Sequence, residues 1–375
     1  MSKRGNGEGS IYKRKDGRWV GQYLVYTANG PKYRYLYGKT RVAVAEKLAK
    51  AISDRDGGLT FDAGKLTVSA YMPHWLSDSV RDTVRRGTFV RYEQITRRHI
   101  VPALGRTKLK NLTPAQVRGL YRQKLDEGLS PRTVQYVHAT LHKALKQAVA
   151  DGLIPRNVTE AVKAPRPRKK EIRPLDADRA RALLGAARGG RLEALFVLAV
   201  TAGLREGEIL GLRWEDLDLA MSKLAVRRSL DYGGKEPAFE LPKNGKGRSI
   251  KLTSRAVEAF KRHRAAQNGE RLRLGTLWED QDLIFPGHTG GPMRSYSLTG
   301  GPYLRLLRRA GLPERTRFHD LRHTCATLLL KKGVHPKLVQ ELLGHATISI
   351  TLDTYSHVLP GMGDAAAGAM DEALG

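Results

Sequence analysis

Residues 163–174 read Lys-Ala-Pro-Arg-Pro-Arg-Lys-Lys-Glu-Ile-Arg-Pro. No stretch constrains the fold of this chain more. Each proline removes a backbone donor and pushes the residue before it toward extended backbone. The charges between the prolines cannot be buried unpaired. The stretch is therefore a basic linker, and it divides the chain. A length of 375 residues suits two or three domains, and a hydrophobic content of 41% gives each a core.

Before the linker the hydrophobic period changes once. Over residues 10–50, Ile11, Tyr12, Trp19, Val20, Tyr23, Val25 and Tyr26 alternate with polar positions, and Tyr33, Tyr35 and Tyr37 follow. That pattern predicts a small antiparallel sheet with turns at Asp16-Gly17 and Asn29-Gly30. Ala45, Leu48, Ala49 and Ile52 then recur at helical spacing and predict a helix over 42–54. Gly57, Gly58 and Gly64 mark a break. Residues 67–160 read as a four-helix module. Thr113-Pro114 and Ser130-Pro131 each place a capping side chain before a proline at the first helical position. Beyond the linker the chain reads as mostly helix with one small sheet. Its strands are expected at 224–230, 238–242 and 248–252, with Asn244-Gly-Lys-Gly as a tight hairpin between the last two. The fold class is multidomain and mostly α. Its parts are a sheet-plus-helix domain at 1–62, a helical domain at 66–162, the linker, and a mainly helical domain at 175–375.

Net charge is +29, spread unevenly: +8 over residues 1–65, +14 over 66–170 and +7 over the rest. Such an excess implies a polyanionic partner, nucleic acid first and an anionic membrane surface second. The first 170 residues are expected to do the gripping. Lys13, Arg14, Arg18, Lys32 and Arg34 lie beside the aromatics of the predicted sheet, and Arg132 and Lys143 lie on a predicted helix. These are the candidate DNA contacts. The plainer alternative for the sheet aromatics is an ordinary small core. A single cysteine, Cys325, excludes a disulfide framework and a zinc finger. With no apolar signal region and no spanning run, a soluble, cytoplasmic, nucleoid-associated protein with no membrane partner is expected.

Chemistry concentrates in the last part of the chain. His319-Asp-Leu-Arg322-His323, Leu343-Gly-His345 and Thr354-Tyr355-Ser-His357 follow Thr201-Ala-Gly-Leu-Arg205-Glu-Gly-Glu208. Arginines that stay charged, histidines and a tyrosine can break and rejoin a phosphodiester without metal or ATP. The four-residue spacing of His319 and His323 also occurs in zinc-protease helices. Here the position after the first histidine is Asp320, and no third ligand follows, so no metal is expected. Neither glycine-rich stretch has phosphate-loop spacing. Arg213, Arg308 and Arg309 read as solvated surface, and Cys325 as core.

In joint order these boxes resemble the tyrosine recombinases, the phage integrase family. Arg205 stands in its Thr-Gly-Leu-Arg box, Lys243 in the hairpin box Leu-Pro-Lys-Asn-Gly-Lys-Gly-Arg, and His319 with Arg322 in His-x-Leu-Arg-His. His345 stands in Leu-Gly-His and Tyr355 at the tyrosine position. Residues 67–160 are similar to the family's core-binding domain, and residues 1–60 look like its arm-site domain.

The resemblance implies that Tyr355 is the nucleophile and that Arg205 and Arg322 clamp the phosphate. It makes His319 the general base, Lys243 the general acid and His345 a phosphate donor. Glu208 would orient Arg205 or His319, and His323 would support the helix. Lys246 competes with Lys243; the register of Arg248-Ser-Ile-Lys favours Lys243. No cofactor is expected. Double-stranded DNA is the expected partner, with a homotetramer on DNA and a host bending factor or excisionase beside it. The alternatives are a Xer-like dimer-resolving recombinase, a type IB topoisomerase-like enzyme and a non-catalytic DNA-binding protein.

Overall fold

The computed structural model describes residues 9–27, 30–56, 65–167, 172–234, 236–356 and 362–375. The chain divides into two compact units, Met1–Lys169 and Lys170–Gly375. The readings placed on Asn29, Gly57, Gly58, Gly64 and His357 lie outside the described residues.

The first unit opens with strands β1 (Ser10–Lys13), β2 (Trp19–Thr27) and β3 (Gly30–Gly38), antiparallel in the order β1-β2-β3. Helix α1 (Arg41–Asp56) packs on one face, where Tyr23, Val25 and Leu48 are buried. It comes so close that a Cβ on Gly21 or Gly38 would lie 2.9 or 2.7 Å from Val44. Register decides which side chains share a face. Tyr12 and Tyr37 flank Val20, Tyr35 pairs Gln22 and Tyr33 pairs Leu24. These tyrosines line the face opposite α1 and are 42–58% exposed. Lys32 pairs Val25 and Arg34 pairs Tyr23, so both share the α1 side. Tyr23 is thus part of the sheet's core, whereas Tyr12, Tyr33, Tyr35 and Tyr37 are not, and two of the basic candidates expected beside them lie on the other face.

The helical part of this unit runs α2 (Val68–His74), α3 (Arg86–Ile95), α4 (Val101–Leu104), α5 (Pro114–Asp126) and α6 (Pro131–Ala150). Wide π-type turns at Trp75–Val80 and Thr96–Ile100 extend α2 and join α3 to α4. Pro102 lies in the first turn of α4, where its missing donor costs little, and the helix ends two residues later at Leu104. Thr113 Oγ1 accepts the Gln116 amide and Ser130 Oγ the Thr133 amide, as their sequence contexts predict. Val134, Val137, Leu141 and Leu145 at three- and four-residue spacing form the buried stripe of α6. Each contributes roughly 1.5–3 kcal/mol of burial.

The second unit contains α7 (Ala177–Ala187), α8 (Glu193–Ala202) and α9 (Glu206–Leu210). A strand region follows, with β4 (Leu217–Asp218), β5 (Lys223–Val226), β6 (Ser229–Asp231), β7 (Ala238–Glu240) and β8 (Arg248–Lys251). Then come α10 (Ser254–Leu274), α11 (Ser295–Thr299), α12 (Pro302–Arg309), α13 (Asp320–Lys331), α14 (Pro336–Leu343), α15 (Ile348–Tyr355) and α16 (Met362–Leu374). The expected hairpin of the last two strands is not formed. β8 pairs β5, and β7 pairs β6, giving sheets β4-β5-β8 and β6-β7. Residues 241–247 are a loop between two sheets. Arg213 is also not simple solvated surface: its guanidinium lies 5.2 Å over the Phe239 ring and its Nε is buried. Cys325 is buried, as expected. Among the described residues, no helix is long and apolar enough to cross a membrane.

Candidate active site

Two left-handed glycines shape the site. Gly203 ends α8 with φ +60°, and a Cβ there would meet Leu343 at 2.6 Å and Cys325 at 3.2 Å. This close approach sets α8 against α13 and α14. Gly344 ends α14 with φ +65°, and a Cβ there would lie 2.8 Å from the Arg248 guanidinium. Both conformations favour glycine.

Arg205 precedes the first turn of α9, and Glu208 lies within it. Glu208 is fully buried. Its Oε2 accepts the Arg205 amide at 2.9 Å and its Oε1 accepts Arg205 Nη1 at 2.8 Å. The same carboxylate accepts Arg248 Nη1 at 3.1 Å and Nη2 at 2.8 Å. Arg248 Nε donates to Leu342 O at 2.9 Å and Arg205 Nη2 to Gly344 O at 3.2 Å. One carboxylate thus fixes two guanidiniums, and they in turn hold the end of α14. Burial alone would raise the Glu208 carboxyl. The Arg248 hydrogen bond and charge, then the Arg205 amide and charge, overcome it and hold the group down at about 2. Glu208 therefore orients Arg205, as one of its two expected roles; no hydrogen bond joins it to His319. Arg248 is the participant that sequence reasoning missed. It was used only to set register, and its place in the hairpin box was the available signal.

Arg322, on α13, is 3% exposed. Its Nη1 donates to Gly203 O at 2.8 Å, while its Nη2 is buried without a hydrogen-bond partner. Burial and the charges of Arg205 and Arg248 lower it to about 10, which leaves it charged at neutral pH. A charged, buried donor with nothing to donate to is suited to an anion. His345 follows Gly344, and its Nδ1 lies 2.9 Å from Thr351 Oγ1. Burial, then Arg322 and Arg205, push it down to about 4. His319 precedes α13 and keeps an exposed ring. Packing, then His323, Arg322 and Arg317, push it down to about 4 as well. Both shifts are downward, so both histidines are neutral at neutral pH.

Tyr355 ends α15, buried among Ala326, Leu330, Val339 and Leu343. Burial raises its hydroxyl to about 12 against the pull of Arg322. The hydroxyl lies 2.7 Å from His323 Nδ1. His319, expected to be the base, makes no hydrogen bond to Tyr355; its ring sits edge-on to that of His323, centroids 5.1 Å apart. The structure thus gathers Arg205, Glu208, His319, Arg322, His345 and Tyr355. It does not bring in Lys243, which is exposed in the 241–247 loop with no polar partner among the described residues. Lys246 shares that loop.

Among the remaining candidates, Lys13, Arg14 and Arg18 are exposed around the β1–β2 turn. On α6, Arg132 lies 4.9 Å over the Tyr136 ring, with Arg91 at 5.1 Å, and Lys143 donates to Tyr92 Oη at 2.7 Å. Among the described residues, no three His, Cys, Asp or Glu side chains converge on a point that could hold a metal.

A mainly helical domain that presents fixed guanidiniums, neutral histidines and a buried tyrosine has the equipment of the tyrosine-type DNA strand-transfer enzymes. The Phage integrase family profile matches residues 173–361, and the Phage integrase N-terminal SAM-like domain profile matches 67–125. The tyrosine recombinase XerC-like protein of Caldanaerobacter subterraneus subsp. tengcongensis is 31% identical over 344 residues, covering 86% of this chain and 88% of that protein. An integrase of Saccharopolyspora erythraea is 26% identical, covering 94% of each. The chain belongs to the phage integrase family of tyrosine recombinases. Its fold matches that of the Tn1549 transposon integrase in complex with a circular-intermediate DNA, with a TM-score of 0.68, 22% identity and coverage of 82% and 99%. It also matches a lambda integrase dimer bound to a COC′ core site, with a TM-score of 0.58, 20% identity and coverage of 96% and 97%.

Proposed function

We propose that this protein is a site-specific integrase that cuts and rejoins double-stranded DNA through a 3′-phosphotyrosyl intermediate. The observation that carries the reading is the unpartnered Nη2 of buried, charged Arg322 beside Tyr355 and the Glu208-fixed Arg205. Attack by Tyr355 Oη forms the O–P bond and releases the 5′ oxygen. Negative charge grows on the non-bridging oxygens as it does so. Arg205 and Arg322 stabilise it by charge-assisted hydrogen bonds, and His345 adds a donor. Lys243, exposed on the 241–247 loop, is the acid for the 5′ oxygen. His319 faces the phosphate from the exposed side. The new bond is a phosphodiester like the old one, so rejoining needs no ATP.

The tyrosine face of the β1–β3 sheet and the exposed Lys13, Arg14 and Arg18 support an arm-site domain over residues 1–62. The Tyr136 and Tyr92 clusters of α3 and α6 support core binding by residues 66–162, with Arg132 and Lys143 among the contacts. Residues 175–375 then carry the chemistry. Helix α16 ends with exposed Met370 and Leu374, which suit docking on a second copy in a tetramer. Likeness to a XerC-like relative favours dimer resolution as the second reading; the extra sheet domain favours integration.

The test is covalent capture on nicked duplexes recovered with the native protein from a mixed-sequence pool. The native chain is expected to form an adduct stable to denaturant, and Tyr355→Phe none. An adduct with Tyr355→Phe would remove Tyr355 as nucleophile.

A further inference from the structure

The hydroxyl that attacks DNA must pass its proton to something that touches it. Among the described residues, the side chain that does is His323, with Nδ1 2.7 Å from Tyr355 Oη. The contact is built rather than incidental. Tyr355 is 2% exposed, and its ring is set by Ala326 and Leu330 of α13 and by Val339 and Leu343 of α14. His323 stands on α13, one residue past Arg322, with its ring 5.7 Å from the tyrosine ring. His319 lies one helical turn earlier, edge-on to His323 and exposed, with no bond to the hydroxyl.

We infer that His323 is the catalytic group that holds the Tyr355 hydroxyl and receives its proton, leaving His319 to the phosphate. This rests on Tyr355 being the nucleophile. In cleavage the Tyr355 Oη–P bond forms and the P–O5′ bond breaks. The phenolic proton moves to His323 Nδ1, and the 5′ oxygen takes a separate proton from the acid on the 241–247 loop. In rejoining, the imidazolium returns its proton to Tyr355 Oη as the O–P bond breaks.

The surroundings keep the acceptor ready. Burial lowers the His323 ring, and so do the charges of Arg317 and Arg322, against Asp320, which raises it. His319 and His345 face it as neutral rings, and Tyr355 is a neutral phenol. The imidazole is therefore neutral at neutral pH, and in the tautomer that carries its proton on Nε2 its Nδ1 accepts from Tyr355 Oη.

The experiment measures the rate of adduct formation on a nicked duplex from pH 5 to 9. His323→Asn places an amide where Nδ1 stands but cannot carry the proton. His323→Phe keeps the ring's volume and removes both nitrogens. Both are expected to bind the duplex as the native chain does in a mobility-shift assay and to form adduct about 10²-fold more slowly or worse. The fall in native rate toward acid pH is expected to vanish in His323→Asn and persist in His319→Asn. A 5′-bridging sulfur, which leaves without a proton, is expected not to rescue His323→Asn. If His323→Asn stays within about threefold of native with its acid limb intact, or the limb is lost in His319→Asn instead, His323 is not the acceptor. An adduct with Tyr355→Phe would instead sink the nucleophile assignment, so the two failures are distinct.

Discussion

Glu208 is the residue on which the most geometry depends. It has no access to solvent and accepts from two guanidiniums and a backbone amide. Its folded carboxyl, at about 2, lies below the ordinary glutamate value. A depressed carboxyl contributes stability at pH above its unfolded value, and that stability is lost as pH falls through the folded one. The loss should run from about pH 4.5 to 2 and amount to about 3 kcal/mol. Glu208→Gln should be less stable than native at pH 7 and show a flatter profile below pH 5, read by urea unfolding at fixed pH values. Parallel profiles for the two proteins would mean that the buried ion pairs do not govern acid unfolding. What the sequence disclosed at this scale follows from chemistry. Arg205, Arg322, His345 and Tyr355 stand in boxes whose joint order carries the family resemblance. His323 and Arg248 stand in the same boxes, yet their roles depend on which way a side chain points. Adjacency in sequence does not decide that.

At the scale of elements, the helix N-caps were legible and strand pairing was not. Thr113, Ser130 and Gly344 act on neighbours a few residues away, so local sequence fixes them. The pairing of β8 with β5 rather than β7 joins residues about 25 apart, and the Asn244-Gly245 signal named a turn without naming its partners. Register had the same effect in the first sheet, where it sends Lys32 and Arg34 to the side opposite the four exposed tyrosines. Gly344 links this scale to the chemistry. An alanine there would strain a left-handed residue by about 1 kcal/mol and press its Cβ against the Arg248 guanidinium, 2.8 Å away. Arg248 is held at Glu208 and Leu342 and cannot swing aside without breaking those bonds. Gly344→Ala is therefore expected to bind DNA normally and to lose about tenfold or more in adduct formation, as Arg205 loses its anchor on Gly344 O. Unchanged adduct rates would show that the guanidinium pair tolerates the shift.

At the scale of the whole molecule, charge and chemistry lie in different parts of the chain. Residues 1–170 carry +22 of the net +29, whereas the tyrosine and its guanidiniums all lie beyond residue 200. Sheet, helical module and catalytic half each have their own buried cluster, so removing the sheet leaves the other cores whole. Phosphate contacts release counterions, and each adds about −0.9 to the slope of log affinity against log salt. Replacing Lys13, Arg14 and Arg18 with alanine should therefore flatten that slope by up to about 3 on long duplexes that hold every site. A chain beginning at residue 63 should flatten it further, because it also loses Lys32, Arg34 and the tyrosine face. Neither change reaches Tyr355, Arg322 or Glu208, so adduct formation on a short nicked duplex should stay within a few-fold of native. Recombination between two intact duplexes should fail in the shortened chain if residues 1–62 hold a second class of site. The salt slope and the recombination yield, measured on the same preparations, decide between readings. A shortened chain that recombines as well as native on minimal duplexes would move the protein to the dimer-resolving alternative, with its catalytic half unchanged.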